Sequence, residues 1–444
     1  MAPSTPSTTD DAFPDLSGTE GWRVLGGRAT AWFAAGSHSD AALLSRAVSE
    51  LCGGAGLALP DLDLRSTGVR VRLGSDATVS AAVADLASAI SDAARRLGLE
   101  PRPGVLQELG LRIDTRQVET VTAFWESALG YQRQAQHGLA DPLRRHPPLR
   151  FQQMDAPRPL RNRLHLDSVA AQPVASGTVD CLASAGALVA HHGYYATVAD
   201  AEGNEVDLLP LPADTDRWDV PDIDDWRLVF SAVAVYPTAT IEQADRLVTV
   251  AAEIADRAGI SLLLDVRRAA PGGDPAGRTP QTVVVLDTGK DRWEMDERYL
   301  PLCRRVQQEA RSLGLTAAPE RARFVQVGIE AADVPATRSF WQAVLGYEAD
   351  PRSDVTDIVD PNRLGPVLFF QPLDPDDTAR RTQRNRLHLE AAVPHDVADA
   401  KVSTALRAGG TVVRDDSPTR WTLADPEGNE IDVVVDAARE EGRA

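Results

Sequence analysis

RNRLHLD at 161–167 and RNRLHLE at 384–390 are one phrase written twice. On either side, FWESALGY at 124–131 returns as FWQAVLGY at 340–347, and ADAEGNEVDLL at 199–209 returns as ADPEGNEIDVV at 424–434. Three blocks in the same order in both halves indicate an internal duplication. Within RLHLD, period-two alternation puts Leu164 and Leu166 on one face of a strand and His165 and Asp167 on the other. Each FWxxxLGY block ends a helix that follows an apolar strand, LQELGLRID at 106–114 or FVQVGIEA at 324–331. Gly130 and Gly346 stand where such a helix needs a C-terminal breaker. Strand, helix and several strands therefore occur twice within each copy.

The intervening segments repeat more faintly. WRVLGGRATAWF from Trp22 and WRLVFSAVAVY from Trp226 are each followed by a long helical pattern. A short strand comes next, LDLR at 62–65 or LDVR at 264–267, then a second, VRVRL at 69–73 or TVVVL at 282–286. The chain reads A–B–A′–B′, with A units at 21–100 and 220–316 and B units at 104–212 and 320–437. Residues 1–20, rich in Ser, Thr, Pro and Asp without a basic start or apolar core, predict a disordered tail and no signal peptide.

A chain of 444 residues has length for several cores, and 43% hydrophobic residues suit globular domains. The formal charge of −19 repels phosphate backbones and anionic lipid, which argues against nucleic acid and membrane partners. Cys52, Cys181 and Cys303 lack a Cys-x-x-Cys pair, so a reducing, cytoplasmic setting is expected, with all three as buried small hydrophobes. No apolar run approaches the roughly 20 residues of a membrane helix.

The quoted B-unit motifs resemble the vicinal oxygen chelate superfamily, which includes glyoxalase, bleomycin-resistance and dioxygenase-like proteins. The resemblance implies an α+β fold of paired βαβββ modules curling around a ligand cavity. It also implies metal ligands on the first and last strands of each module. Carried over, these positions fall on His165 and Glu205 in one copy and on His388 and Glu430 in the other, with Glu108 as a first-module candidate. Imidazole plus carboxylate suits Zn, Mn, Fe or Ni. Arg163, Asp167, Arg386 and Glu390 join these residues as expected cavity groups, and the guanidiniums of Arg161, Arg163, Arg384 and Arg386 suit an anionic ligand group.

The first A unit resembles pterin-4a-carbinolamine dehydratase at Pro60, Asp61, Val69, Val71, Leu73 and Asp85. Where that family carries its histidines, this chain has Ala58, Leu59 and Asp76; the second unit has Ile260 and Ser261. Ala and Leu cannot shuttle protons, and losing such groups typically costs about 10²–10⁴-fold each. The resemblance implies a retained α+β fold, and the two A units are expected to pair within the chain, homo-oligomers being open.

The sequence therefore predicts a small-molecule-binding protein that either sequesters its ligand or performs metal-assisted lyase, isomerase or dioxygenase-type chemistry. The alternative is 4a-hydroxytetrahydrobiopterin dehydratase activity in the A units.

Overall fold

The computed structural model describes residues 18–74, 81–134, 138–154, 156–269 and 281–435. Asp76 lies outside the described residues.

The two A units share one nine-stranded sheet. Its centre is an antiparallel pair from different units: Asp61–Arg65 runs against Leu263–Ala269, with Leu64 opposite Leu264 and Asp63 opposite Asp265. In DLDLR the alternation places Leu62 and Leu64 in a core with Val69, Val71, Val266 and Leu286. The helices His38–Ala55 and Ile241–Ala258 supply the rest of that core. They are tied across the units, since the Asp256 carboxylate accepts from the His38 and Ser39 backbone N–H groups and from the Ser39 hydroxyl. Ser37 and Thr240 cap these helices at their N-termini, each accepting from the backbone three residues on.

The four B modules form two eight-stranded sheets, and neither sheet comes from one copy. Leu164–Ala170, opening the second module of copy one, runs antiparallel to Arg323–Ala331, opening the first module of copy two. Glu108–Thr115 runs likewise against Leu387–Ala392. We refer to these as the His165 sheet and the His388 sheet. Segment 104–212 thus divides between both sheets, as does 320–437, so the expected pairing of two modules within one copy is corrected to pairing between copies. The reason lies in the RNR corners. Asn162 Oδ1 accepts from Arg386 N and Asn385 Oδ1 accepts from Arg163 N, both at 2.9 Å, which holds the two module junctions side by side.

Gly130 and Gly346, at φ 60° and 70°, end the helices Val118–Leu129 and Val334–Leu345, where an L side chain would be strained. Trp125 and Trp341 on these helices donate through Nε1 to Asp200 (3.0 Å) and Asp425 (2.9 Å). Asp200 Oδ1 also accepts from the backbone of Glu202 and Asn204, so the same carboxylate shapes the AEGN turn. Leu111, Leu166, Val327 and Leu389 line the shared core beneath both sheets. Cys52 and Cys303 are buried, but Cys181 is exposed on the outer side of its helix, correcting the expectation for that residue. Among the described residues no helix is long and apolar enough to cross a membrane.

Candidate functional site

The polar face of RLHLD looks away from the leucine core, and the parallel neighbour Glu205–Leu209 sets Asp167 beside Asp207. His165, Asp167 and Asp207 each place one donor atom within 4.8 Å of the others. His165 Nε2 lies 3.6 Å from Asp167 Oδ1. Asp167 Oδ2 accepts from the Gln326 amide at 2.8 Å, and Asp207 Oδ1 accepts from the Thr197 hydroxyl at 2.6 Å. Asp167 Oδ1 is buried without a hydrogen-bond partner, and an orphaned buried carboxylate oxygen is costly unless a cation or proton meets it. Burial pushes the Asp167 carboxyl up to about 6, against the pull of the neighbouring His165 and the Gln326 amide. This donor set fits a divalent ion of the Zn, Mn, Fe or Ni type.

Room for the imidazole comes from Gly328, opposite His165 in the antiparallel register. A Cβ there would stand 2.3 Å from His165 Cε1 and 2.7 Å from the Phe369 ring. Phe369 meets the imidazole edge to face, ring centres 5.5 Å apart. Lys290 reaches in from the A′ unit, donating to Gln326 at 2.9 Å while Asp357 takes its charge at 2.6 Å.

The twin position is built differently. His388 Nε2 lies 3.4 Å from Asp432 Oδ2, but Arg420 is already on that carboxylate at 2.5 Å. Glu390 is paired with Arg112, which stands where the other sheet has Gly328. Although burial opposes ionisation, His388 and Arg420 hold Asp432 well below the usual carboxylate range. Guanidinium groups thus occupy the role that a metal would play, and the two sheets are chemically unequal.

The other expected site residues fall as follows. Glu205 accepts from Arg161 at 2.6 Å, and Glu430 holds Arg384 in a two-bond pair at 2.7 Å. Neither joins its histidine's cluster; the carboxylates that do are Asp207 and Asp432, two residues on and on the same strand face. Arg163 and Arg386 spend their donors on backbone and asparagine groups of the opposite copy. Arg163 Nε donates to Asn429 Oδ1 and its Nη groups to the carbonyls of Arg380, Gln383 and Gly428. Arg386 repeats this on Asn204, Arg158, Leu160 and Gly203. Each arginine grips the turn of the opposite copy. Glu108 sits beside Arg72, opposite Ala392 and two pairings beyond the position facing Glu390, away from His388. In the A unit Ala58 and Asp85 are exposed and Leu59 is buried in the helix-side core.

Sequence reasoning did not single out the second face of the A sheet. Asp61, Asp63 and Asp265 project there opposite the leucines. Arg28 and Arg144 hold Asp61. Arg70 and Arg267 hold Asp63, while Arg65 and Arg145 hold Asp265 and Arg145 also reaches Asp287. The signal was present in DLDLR and VRVRL: alternating leucine or valine with charge, in strands that have no solvent face.

Residues 110–209 and 326–434 match the family model of the glyoxalase-like domain. No curated protein matches the chain. Among solved structures, glyoxalase I from Zea mays is similar at 9% identity and TM-score 0.37, covering 76% of this chain and 95% of that one. A glyoxalase/bleomycin resistance protein/dioxygenase family enzyme from Burkholderia phytofirmans PsJN shares 18% identity at TM-score 0.19, over 24% of this chain and 94% of its own. The cppA protein from Streptococcus pneumoniae TIGR4 gives 11% identity and TM-score 0.32, over 74% and 98%. At such scores the family model carries the likeness.

Proposed function

We propose that this chain, with glyoxalase-like domains at 110–209 and 326–434, binds a small molecule at a divalent metal held by His165, Asp167 and Asp207. The observation that carries the reading is the trio itself, two of its members buried and Asp207 half-buried, with donor atoms within 4.8 Å of one another and Asp167 Oδ1 lacking a hydrogen-bond partner. A bound ion would polarise a ligand oxygen, the chemistry common to lyase, isomerase and dioxygenase-type reactions. The chain's own groups prepare the site for that. Gln326 fixes the rotamer of Asp167 and Thr197 that of Asp207. Phe369 and Gly328 set the imidazole plane, and Lys290, its charge paired with Asp357, holds the Gln326 amide that orients Asp167. The His388 position is a structural counterpart, its carboxylates already neutralised.

Equilibrium dialysis of the chain against Zn, Mn, Co or Ni, followed by metal analysis, tests this. One ion per chain is expected, lost in His165→Ala and Asp207→Ala and retained in His388→Ala. Absence of a stoichiometric ion, or its loss on His388→Ala, would overturn the proposal, and ligand binding without metal would then favour sequestration.

A further inference from the structure

A cavity of about 570 Å³ lies between the His388 sheet and the charged face of the A sheet. Its apolar wall includes Leu109, Leu139, Leu149, Pro142, Pro148 and Leu364. Two guanidiniums facing it have only long ion pairs, with no carboxylate oxygen at hydrogen-bond distance. Arg72, only 6% exposed, has no carboxylate oxygen nearer than 3.6 Å; the oxygens of Glu108, Asp61 and Asp63 lie at 3.6, 3.7 and 3.9 Å. Its Nε is buried with no partner, and its one bond is to the Arg144 carbonyl at 3.0 Å. Arg150, on the strand Leu149–Gln153, has its nearest carboxylate, Glu390 Oε1, at 3.9 Å, and that group belongs to Arg112. The aspartates that could satisfy Arg72 are already committed to the other arginines. Asp141, in the lining, spends its oxygens on the backbone N–H groups of Leu143, Arg145 and His146. Buried His146 brings no positive charge at neutral pH: burial depresses it to about 4, although Asp141 pulls the other way.

A desolvated guanidinium whose surrounding carboxylates all stand beyond hydrogen-bond reach gains from an anion at bonding distance. We infer that this cavity binds an organic acid, its carboxylate held between Arg72 of the A unit and Arg150 of the B unit and its apolar body against the leucine and proline wall. The cavity volume is within the range of small-ligand sites, and planar forks favour two-bond recognition of carboxylate. The site is separate from the His165 trio, needs no metal, and draws walls from both kinds of unit. Neither proposal depends on the other.

Isothermal titration of the intact chain with benzoate, phenylacetate, 2-naphthoate and 4-phenylbutyrate, with 2-naphthamide and phenyl phosphate as comparison ligands, tests the inference. At least one carboxylate is expected to bind one per chain, about tenfold or more tighter than the uncharged amide. Arg150→Gln, a change at a partly exposed side chain with one long ion pair, should weaken it about tenfold while leaving the thermal midpoint in place. Arg72→Gln should weaken it at least as much, and a weakening confined to this variant together with a lost midpoint would count as misfolding, so Arg150→Gln decides. Failure of every carboxylate to bind at millimolar concentration overturns the inference. So does equal binding of acid and amide, or affinity indifferent to Arg150→Gln. Preference for phenyl phosphate over every carboxylate would overturn the assignment to organic acids.

Discussion

Alternate arginines of the RNR corner should differ sharply in what their removal costs. Arg163 is 1% exposed and directs bonds to Asn429 Oδ1 at 2.9 Å, Gln383 O at 3.0 Å, Gly428 O at 3.3 Å and the Arg380 carbonyl. Each bond from a charged donor contributes about 1.5–3 kcal/mol, and truncation would also leave buried carbonyls unmet. Because bonds sharing one side chain do not add fully, Arg163→Ala should cost about 3–5 kcal/mol. Arg386→Ala should cost the same, since the bonding repeats on the other turn. Arg161 and Arg384, two residues earlier in each copy, have side chains 42% and 49% exposed and pair with Glu205 and Glu430. These guanidiniums are half-exposed, but Glu430 is buried and Arg161 also holds the buried Glu330, so their alanine variants should cost about 1–2 kcal/mol, well below the loss at Arg163. Urea denaturation of the four single variants measures the contrast. Equal losses across all four, or an Arg163→Ala loss under about 1 kcal/mol, would refute the idea that these arginines lock one copy onto the other.

Gly328→Ala puts a Cβ 2.3 Å from the His165 ring; overpacking should cost about 1–3 kcal/mol, and metal affinity measured by titration calorimetry should drop about 10–100-fold. Arg267→Met leaves Asp63 with one fewer guanidinium and the Leu62 and Leu143 carbonyls without donors, for a loss of about 3–5 kcal/mol by denaturant titration. Burial at the junction of the two long helices pushes Asp245 up to about 6, although the Ser49 hydroxyl donates to it. A carboxyl whose folded pKa lies above its unfolded value costs stability above that folded pKa, and the cost fades as pH falls through it. Asp245→Asn should therefore raise stability at pH 8 by about 1–2 kcal/mol after allowance for partial exposure, with the gain gone near pH 4.

Much of the fold was legible because the same periodicity is stated four times. RLHL, GLRID and VGIEA alternate cleanly, and FWxxxLGY closes a helix at a glycine. Pairing across copies was not legible: RLHLD and RNRLHLE present identical edges, so either could accept GLRID or VGIEA, and only the packed RNR corners decide. The histidines were visible as candidates, whereas their carboxylate partners were placed two residues early. Glu205 and Asp207 point to one face, and alternation cannot say which of them bends toward Arg161. The inequality of the two sheets was written in Gly328 against Arg112, yet it acquires meaning only once each is known to face a histidine. The Asp/Arg lattice was missed because charged residues in a strand read as a solvent face until a second layer covers them.

A divalent ion should occupy one sheet and not its twin. Crystals grown with Mn²⁺ and measured for anomalous scattering should show one strong peak among His165, Asp167 and Asp207 and none beside His388 and Asp432. Matching peaks at both histidines, or none at His165, would contradict it.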